Sequence, residues 1–323
     1  MNENLPWRPE RDRPLMLAPM QGLTNRALRG LFGEWVRPDV MFTEFIRVRP
    51  GSRQAISRAD RLEAAGSGDI PLVVQLIGRD TAALVAAAEA ARQSGAVHLN
   101  LNLGCPFGRM SNGSAGGALL KNPVDLDRRL TLLRQCAPGS LSVKVRSGYD
   151  DPEQIFSLLA IFEGAGVDFI VLHPRTVVQK YNGAADHDLT ARVAAATVLP
   201  VIANGDVTTA GAGQRVLAET GASGLMIGRG AIRDPLLFER LRGRAAAQPA
   251  RAERSAELQY YIAELTARYR LIFQGDAQIL NKLKTVLNML ADDPVFARPI
   301  RKMLRAKSLA ELTALAGKLA DYQ

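Results

Sequence analysis

The chain has 323 residues, 47% of them hydrophobic, enough to bury one large core and a smaller one. Two distant cysteines exclude a disulfide framework and fit a reducing cytosol, and the polar stretch from Met1 to Pro14 holds no apolar signal segment or membrane span. The net charge of +9 is uneven: residues 229–323 carry 17 Lys and Arg against 10 Asp and Glu, which suggests a polyanionic partner such as nucleic acid, or else an arginine-rich solvated surface.

Short apolar runs rich in β-branched residues recur through the first two thirds. In chain order they are Leu15–Met20, Val40–Ile46, Leu72–Gly78, Val97–Asn102, Leu141–Arg146, Phe169–His173, Leu199–Asn204 and Gly224–Gly228. Near-continuous apolar runs are the mark of parallel strands buried on both faces. Helical patterns lie between most of them. Thr81 to Ser94 is alanine-rich and stops at Gly95, Pro123 and Pro152 fit first helical turns, and Gly164 to Gly166 ends the helix after Pro152. Asp206-Val207-Thr208-Thr209 leads into another helix that stops near Gly221. Eight strands alternating with helices predict a (β/α)₈ barrel, the TIM barrel, over residues 1–244. A doubly wound sheet competes, but the first strand ends Ala18-Pro19-Met20-Gln21-Gly22, which lacks the glycine fingerprint of that fold.

Arg242 to Arg254 reads as a linker or frayed helix end. Helical patterns follow near 255–273, 277–291, 295–306 and 308–320, with no β pattern. Residues 245–323 are therefore expected to form a small all-α bundle that carries the basic excess.

Barrel chemistry lies at the C-terminal ends of the strands. Cys105 follows the fourth strand between Gly104 and Pro106, with the glycine-rich Asn112-Gly113-Ser114-Ala115-Gly116-Gly117 after it. Such a loop is where a barrel places a proton donor or nucleophile, although most free cysteines are small buried side chains. Lys144 lies inside an apolar strand and needs an anionic partner; it could be a Schiff-base nucleophile or the counter-charge to an anionic cofactor. Gln75 and Asn102 offer donor–acceptor pairs suited to the edge of a heterocycle. His173 lies beside Arg175 at a strand end. The turns Asn204-Gly205-Asp206 and Gly228-Arg229-Gly230, on adjacent strands, suit a phosphate. No metal is expected, because the three histidines lack ligand spacing with the cysteines.

The runs LAPMQGLTN, FTEFIRV, VQLIG, NLNLGCP, GSAGGALLKNP, VKVRSG, HPRT followed by YNGAAD, VIANGD and MIGRG together resemble the flavin-dependent tRNA dihydrouridine synthases. Arg47-Val48 after Thr43-Glu44-Phe45, with NGSAGGALL, most resembles the bacterial C-type branch, which acts on uridine 16. The resemblance implies FMN in the barrel mouth, with NADPH (or NADH) as reductant. Pro19, Met20 and Gln21 would pack along the flavin. Gln75 and Lys144 would bond its polar edge near His173, and Asn204, Gly205, Asp206, Gly228 and Arg229 would hold its phosphate. Hydride would pass to C6 of the uracil, and Cys105 would protonate C5. Asn102 would contact the uracil, while Arg47, Tyr181, Lys282, Lys284 and Arg301 would grip the tRNA. A cytoplasmic monomer with no obligate protein partner and no membrane contact is expected.

Three positions depart from the family pattern: Leu103 stands where cysteine is common, Pro174 where glycine is, and His187 where a tryptophan often lies. Rival readings are a flavin oxidoreductase for a free pyrimidine, an RNA-binding module on a vestigial barrel, and a lysine-dependent aldolase built on Lys144. The first needs no basic tail, the second no intact Cys105 and Lys144, and the third would be colourless.

Overall fold

Among the described residues there are nine strands, all paired in parallel. They are β1 (Leu15–Leu17), β2 (Val40–Phe42), β3 (Ile46–Arg47), β4 (Leu72–Ile77), β5 (His98–Leu103), β6 (Leu141–Arg146), β7 (Phe169–His173), β8 (Val201–Asn204) and β9 (Gly224–Ile227). The structure is a computed structural model that describes residues 4–8, 13–51, 54–65, 68–106 and 115–321. Neighbours run β2-β1-β9-β8-β7-β6-β5-β4, and β2 also pairs with β4, so the sheet closes on itself as an eight-strand barrel. β3 is an extension that pairs only with β4.

The strands are buried on both faces of the sheet, mostly by apolar side chains. β1, β2 and β7 are buried at every position, and β6 at every position except Lys144. β6 and β7 have the ranges expected from sequence. The second strand does not: the run expected over Val40–Ile46 breaks at Thr43-Glu44-Phe45. β2 pairs Phe42 with Val73 and β3 pairs Ile46 with Leu76, so three residues stand opposite two. This is a bulge, which bends the strand and re-aims its side chains. Thr43 Oγ1 accepts the Gln75 N–H at 3.0 Å, and Glu44 turns out to accept the Gly22 N–H at 2.9 Å.

Helices α1 (Arg26–Trp35), α2 (Arg58–Ala64), α3 (Thr81–Gln93), α4 (Pro123–Cys136), α5 (Gln154–Gly164), α6 (His187–Ala196), α7 (Ala210–Thr220), α8 (Arg229–Arg233) and α9 (Leu237–Leu241) lie between and after the strands. Polar caps start several of them. Asn25 Oδ1 accepts from the Ala27 and Leu28 N–H groups, Asp80 from Ala83, and Thr209 from Ala212. Pro123 opens α4, and Gly221 ends α7 in the left-handed conformation that favours glycine. At the N-terminal end of the barrel, Trp7 stands edge-on to Phe169 at 4.9 Å and with Leu5 packs on Met16, Val40, Phe42 and Val73. Trp7 thereby stoppers the barrel floor.

Four helices follow: α10 (Arg251–Ile272), α11 (Asp276–Asn288), α12 (Ala297–Arg305) and α13 (Leu309–Gly317). α10 lies on α1, where Trp35 meets Tyr260 at 4.8 Å and Phe32 meets Tyr261 at 6.3 Å. One apolar core runs without interruption from Leu28, Phe32 and Phe238 into Leu258, Leu265, Leu283 and Ile300. The connecting stretch is pinned: Arg242 donates to the carbonyls of Val36 and Arg37 at 2.9 and 2.8 Å. No helix among the described residues is long and apolar enough to cross a membrane.

Candidate active site

A cleft opens at the C-terminal ends of β1, β6, β7, β8 and β9. Pro19, Met20, Lys144, His173, Asn204 and Arg229 are among its walls, with Tyr181 at one side. Pro19 and Met20 are half-buried, while Gln21 is exposed just beyond.

Lys144 is the centre of its electrostatics. Its Nζ donates to Asn204 Oδ1 at 2.8 Å, and Asn204 is fixed in turn by donating Nδ2 to the Met226 carbonyl at 2.8 Å. Lys144 is half-buried, and its partner is a neutral amide rather than the carboxylate that would balance its charge. Burial, followed by the charge of Arg146, pulls the Lys144 pKa down to about 7. His173 is held neutral: burial first, then Lys144, Arg146 and Arg175, push its pKa to about 2. Its Nε2 lies 2.9 Å from Arg175 Nη1, so the ring nitrogen accepts from the guanidinium.

The next two strand ends, Asn204-Gly205-Asp206 and Gly228-Arg229-Gly230, are turns that line the same cleft. Gly205 has φ +129, and a Cβ there would come within 2.9 Å of Ala185 Cβ. Asp206, at φ +51, accepts from Arg175 at 2.5 Å, from the Ala185 N–H at 2.8 Å and from Arg229 at 3.3 Å. Partial burial works against that carboxylate's charge, but these donors hold its pKa below the ordinary range. Asp206 thereby orients Arg175 and Arg229 through its side chain. The Arg229 guanidinium lies 4.9 Å from the centre of the Tyr181 ring. His187, without a role in the sequence reading, places Nε2 3.0 Å from the Gly205 carbonyl and buttresses this loop. Pro174 sits at a tight turn in which the Arg175 N–H reaches the His173 carbonyl at 2.8 Å.

Cys105 is half-buried on the loop after β5. Asn102 Oδ1 accepts from the Gly104 and Cys105 N–H groups at 3.1 and 3.0 Å, an Asx turn that fixes the loop. The Gly117 N–H donates to the Cys105 carbonyl at 3.2 Å, and a Cβ on Gly116 would stand 3.0 Å from Cys105 Cβ. Glycine is favoured there, because the position has φ +63 and the chain packs closely on the cysteine. The preceding Asn112-Gly113-Ser114 falls outside the described residues. Gln75 is fully buried and bonds Asn100 and Asn102 within the barrel wall.

The expected tRNA contacts are dispersed. Arg47 is half-buried at the end of β3. Asn102 spends its oxygen on the Cys105 loop and one amide hydrogen on Gln75 Oε1, at 2.8 Å. Lys282 lies over the Phe273 ring at 5.3 Å and is close enough to Glu44 to favour that carboxylate's charge. Lys284 is otherwise engaged: its Nζ donates to the Ala306 carbonyl at 2.6 Å, at the C-terminus of α12. Arg301 is exposed, 3.6 Å from Asp292.

A family model for dihydrouridine synthase (Dus) matches residues 16–310, which takes in the barrel and most of the tail. The chain belongs to the dihydrouridine synthase family. The synthase is 35% identical to a probable tRNA-dihydrouridine synthase of Rhodobacter capsulatus, over 68% of each chain. It is 34% identical to the tRNA-dihydrouridine(16) synthase of Cupriavidus necator, over 79% of this chain and 82% of the relative. Relatives named tRNA-dihydrouridine synthase B match almost as well, at 32–33%. Among solved structures, QR15, an aldolase, superposes with a TM-score of 0.52 at 15% identity, covering 76% of this chain and 98% of its own. That likeness concerns the barrel fold alone.

Proposed function

We propose that this synthase reduces the C5=C6 bond of uridine 16 in tRNA, with FMN in the cleft and NADPH as the source of electrons. The observation that carries the reading is the Lys144 ammonium, half-buried against a neutral amide and facing a cleft that Arg229 also lines. Such a site is short of negative charge. An anionic planar ring over Lys144, with its phosphate at Gly205, Gly228 and Arg229, meets that deficit, and Pro19 and Met20 offer it an apolar wall.

When bound, FMN supplies the hydride that reaches C6 of the uracil. The chain's own groups do the rest. Lys144 stabilises negative charge on the ring at close range in a partly dry site. His173, neutral and fixed by Arg175, adds no competing positive charge. Arg229, aligned by Asp206 and Tyr181, holds the phosphate. The uridine must leave the tRNA stack, at a cost of roughly a few kcal/mol. Cys105 then gives its thiol proton to C5, and the Asx turn of Asn102 keeps the sulfur in place for that transfer.

Heat-released cofactor is expected to show the spectrum and mobility of FMN; FAD, or no flavin, overturns the reading. Cys105→Ala is expected to keep flavin binding and NADPH oxidation while slowing uridine reduction by roughly 10²–10⁴-fold, the usual worth of a general acid. Loss of flavin reduction in that variant would place Cys105 in the wrong half-reaction. The position is tested in a strain lacking all such enzymes: dihydrouridine restored at 20 rather than 16 refutes uridine 16.

A further inference from the structure

Behind Cys105 the barrel wall contains a chain of polar side chains on three adjacent strands. Ser142 Oγ donates to the Leu99 carbonyl at 3.3 Å, and Asn100 Nδ2 donates to Ser142 Oγ at 2.8 Å. Gln75 Nε2 donates to Asn100 Oδ1 at 2.8 Å, and Asn102 Nδ2 donates to Gln75 Oε1 at 2.8 Å. Asn102 Oδ1 then accepts from the Gly104 and Cys105 N–H groups. The four side chains are at most 7% exposed. Every amide has its nitrogen toward one end of the chain and its oxygen toward the other. An amide that flips must break two of these bonds, and the buried groups left behind have no water to turn to. The orientation of the last oxygen, the one that holds Cys105, therefore depends on the orientation of the first.

We propose that Asn100 is a positioning residue for Cys105, acting through Gln75 and Asn102. Its Oδ1 anchors the direction of the amide chain and hence the acceptor that fixes the Cys105 backbone. Asn100 reaches neither cofactor nor uracil in this role. The proposal rests on Cys105 as the proton donor, but its first test does not.

That test is the rate of Cys105 alkylation by iodoacetamide in the flavin-loaded enzyme. Cys136, the other thiol, is buried and gives a slow background. Asn100→Leu removes the acceptor and is expected to change the alkylation rate at Cys105 several-fold. Transfer to unmodified tRNA should slow by roughly 10- to 100-fold, the cost of a misplaced reacting group. Reduction of the bound flavin by NADPH should be slowed less than that transfer, since Cys105 takes no part in that half-reaction and only Gln75 is shared by the two. Asn100→Asp should restore the alkylation rate and tRNA transfer, because its carboxylate can accept from both Gln75 Nε2 and Ser142 Oγ. Ser142→Ala, a smaller change that leaves Asn100 Nδ2 unpaired, should shift alkylation in the same direction as Asn100→Leu and serves if the leucine variant does not fold. Unchanged alkylation in Asn100→Leu, or in Ser142→Ala where only that folds, overturns the proposal, and so does an aspartate variant as impaired as the leucine. Failure of the acid reading shows separately, as Cys105→Ala turning over uridine normally.

Discussion

Lys144 ties the pH behaviour of the protein to its cofactor. Without an anion in the cleft it titrates at about 7, whereas in the unfolded chain a lysine titrates near about 10.4. Between those values the unfolded chain holds a proton that the folded chain lacks. The cofactor-free protein should therefore gain stability as pH rises from about 7 toward 10, before other groups intervene. Chemical denaturation at stepped pH measures this, and Lys144→Met should flatten the rise. Binding of an anion restores the charge. Calorimetry at pH 8 in buffers of different ionisation enthalpy should show a proton taken up with FMN, and affinity should fall as pH rises further. Absence of uptake would mean that Lys144 is already charged, or is not the partner of the anion.

At the scale of elements, the join between barrel and tail rests on a buried ionic knot. Arg240 donates to Asp234 at 2.9 Å, to Glu257 at 2.5 Å and to the Ala246 carbonyl at 2.7 Å, and Arg254 reaches both carboxylates. Arg240→Ala would leave buried acceptors short of charge and should cost about 3–5 kcal/mol in urea unfolding; a loss below about 1 kcal/mol would show that water replaces the guanidinium. None of this could be foreseen from sequence, because the partners are brought together by folding. What could be foreseen was local. The eight barrel strands are apolar runs that need no partner to be recognised, and the tail helices lie close to their periodic patterns. The bulge after Phe42 was hidden, since it depends on pairing with β4 and on Gly22 meeting Glu44. The cleft residues were legible as strand ends. Asn100 showed only as half of an Asn-Leu-Asn alternation, and Lys284 was expected to grip tRNA, its bond to the Ala306 carbonyl being hidden because that carbonyl belongs to another helix.

For the whole molecule, the charge of +9 and the concentration of basic residues in the tail lead to an expectation about how tRNA would be held. Binding should weaken steeply with salt, and removing a cation that meets a phosphate should lower the slope of log affinity against log salt by about one. Lys282→Ala and Arg301→Ala are expected to do so. Lys284→Ala is expected instead to lower the melting temperature, through the Ala306 carbonyl it would abandon. An unchanged slope in the first two variants would move the tRNA path elsewhere. The uninterrupted core from Phe32 and Phe238 to Leu258 and Leu265 constrains any attempt to re-target the enzyme. A tail grafted from a relative of different position preference would meet an α1 surface shaped for another partner. Chimeras that exchange only the tail should aggregate or melt early, while chimeras that carry α1 with it should fold. The unit that can be traded between such enzymes is a discontinuous one, made of the last helices and one near the beginning.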